Sequence, residues 1–67
     1  MTKLNKAQKE AVRTLAVAYS AITEKSLAGD LNGAGVWARM LIEAQSQTGV
    51  EIMPEFELQD LIWRADK

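Results

Sequence analysis

The sequence predicts an all-α chain, and three observations carry that expectation. Apolar residues recur at the three- and four-residue spacing of a helix, turn formers gather in two short clusters, and no stretch reads as a strand of a sheet. The clusters are Gly29-Asp30-Leu31-Asn32-Gly33 and Thr48-Gly49 followed by Pro54. They divide the chain into three helices, over about residues 6–28, 33–47 and 54–65. The expected architecture is a long helical hairpin plus a short C-terminal helix, in a single domain spanning residues 1–67.

The first helix starts at a recognisable cap. Asn5 is a good N-cap, and Gln8 three residues later completes a capping box. Val12, Leu15, Tyr19 and Ile22 follow 3-4-3 spacing and form the expected core stripe, with Leu27 beside it. Ala7, Ala11, Ala16 and Ala18 widen that stripe and let a neighbouring helix come close. Lys6, Lys9, Arg13, Ser20 and Glu24 line the wet side, where Val17 and Ala21 are out of place. Gly29 is suited to end the helix in a left-handed conformation.

Asp30 or Asn32 is expected to cap the second helix, whose stripe is Trp37, Met40, Leu41 and Ala44 with Val36 at the edge. Gly33-Ala34-Gly35 gives it a first turn poor in side chains. Each glycine there costs roughly 1 kcal/mol against alanine, which points to a closely packed neighbour or to a loose turn. Gly49 ends this helix, and Val50-Glu51-Ile52-Met53 reads as an extended link too short for a sheet of its own. Pro54 at the first position, with Glu55 and Glu57 in the first turn, opens the third helix. That helix has two apolar faces: Leu58, Leu61, Ile62 and Ala65 on one, Phe56 and Trp63 nearly opposite at 100° per residue. Only one of them fits a three-helix core unless the third helix is sandwiched between the other two.

Composition narrows the function. The chain has 67 residues, 48% of them hydrophobic, with no Cys and no His. Disulfides and thiolate or imidazole metal sites are therefore excluded, and no cofactor is expected. Small domains commonly need a staple, and without disulfide or metal the remaining one is a second subunit. A first helix of about 35 Å also exceeds the roughly 28 Å diameter of a compact chain of this length. Its overhang, rich in alanine, is the expected seat of a second copy. A homodimer is therefore expected, and Val17, Ala21, Phe56 and Trp63 are assigned to a dimer or partner interface.

No nucleophile–base pair is legible, since Lys25 and Ser26 diverge on a helix, as do Glu55 and Glu57. Gly33-Ala34-Gly35 lacks the strand and third glycine of a dinucleotide site. An enzyme is not expected. The net charge of −1 hides an asymmetry: residues 1–13 carry Lys3, Lys6, Lys9 and Arg13 against Glu10, and residues 51–67 are net acidic. Lys6, Lys9 and Arg13 share one ridge, a possible contact for an anionic partner or a solvated face attracted to the acidic third helix. A helix-turn-helix DNA-binding regulator is the alternative reading. It suffers from a pI near 5.3 and a second helix with Arg39 as its sole cation. Membrane association is not expected, because the first helix's apolar stripe is mostly alanine and no apolar run approaches the roughly 20 residues of a bilayer span. The N-terminal segment, cut by Lys6, Lys9, Glu10 and Arg13, is unlike a signal peptide, so a cytoplasmic location is expected.

Two resemblances follow from these residues. Ala28-Gly29-Asp30-Leu31-Asn32-Gly33-Ala34 resembles the turn of tetratricopeptide-type helical hairpins, which stack in arrays, although here the second hairpin is missing. The whole profile is similar to that of small orphan accessory proteins of mycobacteriophages: short, free of Cys and His, weakly acidic and helical, with Phe56 and Trp63 turned outward. That likeness implies a protein acting in the host cytoplasm by binding and disabling or redirecting one host protein, in some cases with toxic effect.

Overall fold

A computed structural model describes residues 5–66. Three helices occupy them, α1 (Lys6–Leu27), α2 (Leu31–Thr48) and α3 (Glu55–Ala65), with no strand among the described residues. The expected hairpin and short third helix are present, and each boundary has a local cause.

At the start of α1 the capping box closes in both directions: the Gln8 amide donates to Asn5 Oδ1 at 2.8 Å and the Asn5 amide to Gln8 Oε1 at 3.0 Å. The exit is a Schellman motif around Gly29, which takes φ 76°, with the Gly29 amide donating to the Ser26 carbonyl and the Asp30 amide to that of Lys25. Asp30 then works twice. Its Oδ1 accepts from the Gly33 amide at 2.9 Å, capping α2, and its Oδ2 meets Lys25 Nζ at 3.6 Å. Because Asp30 rather than Asn32 is the cap, α2 begins at Leu31, two residues earlier than the sequence suggested, and it runs to Thr48 before Gly49 closes it at φ 74°. Pro54 likewise stands at the N-cap of α3 rather than at its first helical position.

The link between α2 and α3 is held chiefly by the Gln45 side chain. The Gln45 carboxamide accepts from the amides of Ile52 (2.7 Å) and Met53 (2.9 Å) and donates to the Met53 carbonyl (3.1 Å). Ile52 and Met53, with no sheet or helix partners, thus find their hydrogen bonds in one glutamine, while the Val50 amide donates to Thr48 Oγ1 at 3.2 Å. Gln45→Ala is expected to cost about 2 kcal/mol in urea unfolding, by leaving those link groups without protein partners. Gln45→Glu, which keeps the acceptors but loses the donor, should fall between alanine and wild type.

The order of packing differs from the sequence expectation. The sandwiched helix is α2, not α3: α1 and α3 each lie against α2, and no Cα of α1 comes within 8 Å of one in α3. Around α2, Trp37 and Ala44 point to the α1 side, Gly35 and Ile42 to the α3 side, and Leu41 and Ala38 lie between, at 100° per residue. The contact with α3 depends on Gly35. A Cβ there would collide with the Cβ of Ala65 and lie 3.4 Å from the Leu61 carbonyl oxygen. The side-chain-poor turn is therefore a point of close approach.

This arrangement makes an elongated molecule, 42 × 19 × 15 Å, with a radius of gyration of 12.3 Å, against about 11 Å for a compact chain of this length. The buried core is alanine-rich: Leu15, Ile22, Leu41 and Leu58 are its large members, and Ala11, Ala18, Ala34, Ala38 and Ala44 fill the rest. Several residues of the expected stripes, Val36 among them, are not core. Val12, Tyr19 and Met40 are more than 40% exposed and Leu27 is 85% exposed, because Ala11 and Ala18 turn α1 so that its smaller side chains meet α2. Nor does α1 overhang much. With 18 residues, α2 runs alongside most of the 22 of α1, so what α1 lacks is cover around its circumference, not at its end.

Candidate interaction surfaces

The third helix separates its two apolar faces cleanly. Leu58 is fully buried and Leu61, Ile62 and Ala65 are half-buried against α2, so that face is core. Phe56 and Trp63, two turns apart on the opposite side, are 74% and 57% exposed. They form an aromatic strip on the outer edge of the molecule, with Gln59 between them and Asp60 and Asp66 at its borders. Arg39 of α2 reaches over to Asp66 at 3.2 Å, and Arg64 pairs with Asp60 at 3.1 Å within the helix.

Val17 and Ala21 do not join this strip. They line a shallow depression on α1 with Ala16, Ser20 and Glu24, Val17 exposed and Ala21 half-buried rather than on the wet side. With α1 and α3 held apart by α2, the four residues assigned to an interface form two separate patches. Lys6, Lys9 and Arg13 are exposed on the N-terminal half of α1, while Lys3 lies outside the described residues. Among the described residues the ion pairs are Lys25–Asp30, Arg39–Asp66 and Arg64–Asp60, so the expected attraction of the basic ridge to α3 does not take the form of a salt bridge.

A third surface was not legible in the sequence. Because both outer helices rest on α2 with their backbones more than 8 Å apart, a groove of about 490 Å³ opens between them. Tyr19, Thr23 and Ser26 form its α1 wall, Glu57, Asp60 and Leu61 its α3 wall, and Ile52 of the link adds to it. Its lining contains two carboxylates and no cation.

No family model matches the chain, and neither the curated proteins nor the solved structures give a match.

What the surfaces offer chemically is contact area. Among the described residues eleven large hydrophobic side chains are exposed, against four that are buried. No polar or charged side chain is buried, and no group of three or more acidic side chains is placed to hold a metal ion, again among the described residues. Among the described residues no helix is long and apolar enough to cross a membrane. The α1–α2 pair stays side by side from Lys25 and Asp30 to Ala11 and Ala44, which line one cleft. That is an antiparallel hairpin rather than the steep crossing, about 90–120°, of a DNA-binding helix-turn-helix. Arg39, the one cation of α2, is engaged with Asp66.

Proposed function

We propose that this chain is a non-enzymatic protein-interaction module that pairs with a second copy of itself and presents the outer face of α3 to a different protein, whose activity it blocks or redirects. One observation carries the reading: Phe56 and Trp63 stand out on one side of α3 while Leu58 on the other side is fully buried. Exposed aromatic side chains in line on a rigid helix are the usual anchors of protein interfaces. The surplus of exposed over buried large apolar side chains points the same way. The absence of buried titratable groups among the described residues offers no support for a catalytic site. The likeness to phage accessory proteins suggests a host protein as the partner.

The test compares wild-type protein with a Phe56→Ser, Trp63→Ser variant as baits in host cell extract. The variant should melt within about 5 °C of wild type, since surface substitutions cost little. It should also lose at least about tenfold of whatever the wild type specifically retains. Equal retention by both baits, or a variant that does not fold, contradicts the proposal.

A further inference from the structure

We propose that the groove between α1 and α3 is the seat of α1 from a second copy of this chain; this rests on the self-pairing proposed above and says where it occurs. The first argument is the shape of the wall. Tyr19 and Thr23 line the groove, and Ala16 and Val12 extend their row along α1 beyond it, in 4-3-4 spacing about 100° round from the face that meets α2. This is the spacing of a coiled-coil seam. Val12 and Tyr19 are 43% and 46% exposed there, and the small Ala16 between them lets a second helix come close.

Charge is the second argument. The groove lining holds Glu57 and Asp60 and no cation; Asp60 is paired with Arg64, whereas Glu57 makes no ion pair among the described residues. The cations that would complement it are on the same chain, since Lys9 and Arg13 adjoin the seam on α1 and are likewise unpaired. If two seams meet antiparallel about a two-fold axis, Ala16 facing Tyr19, then Lys9 and Arg13 of one copy come level with Ser26 and Ile22 of the other. Those two residues line the groove that carries Glu57 and Asp60. One symmetric contact therefore satisfies both copies.

Area is the third. The accessible surface is 4909 Å², about 700 Å² more than the roughly 4,200 Å² of a compact monomer of this mass. A standard interface covers about 800 Å² on each partner.

Sedimentation equilibrium of the full chain tests the proposal. Glu57→Lys and Lys9→Glu, both at exposed positions, should each weaken the dimer about tenfold, because each change counts twice across the axis. The double variant, which restores opposite charges, should recover most of the loss. Tyr19→Ala should weaken it at least as much. A dimer indifferent to these changes, or a double variant no better than the singles, overturns the groove as the site. If that same dimer dissociates in the Phe56→Ser, Trp63→Ser variant, self-pairing survives and moves to the outer face of α3. A monomer under all conditions overturns both.

Discussion

Gly35→Leu is expected to strip α3 from the hairpin. At this position even a Cβ collides with Ala65, and a leucine adds three further carbons to the same contact. Overpacking of this kind costs about 3 kcal/mol or more, in a chain whose total stability is about 3–10 kcal/mol. The melting temperature should fall by more than about 12 °C. The smaller change is the sharper diagnostic. In an exposed helix Gly→Ala stabilises by about 1 kcal/mol, whereas Gly35→Ala should destabilise. Adding Ala65→Gly should remove most of that penalty, because it empties the space the new methyl needs. Urea unfolding of the two single variants and the pair gives the coupling directly.

Leu41→Ala should have an effect of similar size for a different reason. Leu41 and Leu58 are the two large side chains that are fully buried, and Leu41 sits on α2 between the side that meets α1 and the side that meets α3. Its truncation removes packing from both at once. The expected cost is about 2–5 kcal/mol, enough to leave a substantial fraction unfolded at 25 °C. Met40→Ala, one residue earlier and 44% exposed, should cost less than about 1 kcal/mol. Denaturant midpoints compared at constant m-value separate the two.

The helices were legible because their ends are written in local chemistry. Asn5 with Gln8, Gly29 and Gly49 act through hydrogen bonds and backbone conformations that depend only on close neighbours in sequence. Pairing was less legible. Val12 and Tyr19 have the spacing of a core stripe, but Ala11, Leu15, Ala18 and Ile22 share a face too. Which face wins depends on how closely α2 can approach, and alanine permits the closer contact. The same ambiguity hid the sandwiched position of α2: Gly35 and Ala38 look like gaps in a stripe until Ala65 and Leu58 are seen against them. The two faces of α3 were visible as a conflict, and only the packing of Leu58 resolved it. The groove had no sequence signal of its own, because it is the space left between two helices whose backbones stay apart on either side of α2.

Molar mass in solution tests most directly the proposal that this chain works by contact, beginning with itself. Light scattering of the full chain at low salt, from about 1 to 200 μM, brackets the dissociation constants expected of a modest interface. Self-pairing predicts a mass that rises with concentration towards twice the 7.4 kDa of one chain, and a transition that moves to higher concentration as salt is added. A mass that stays at 7.4 kDa across the whole range contradicts it.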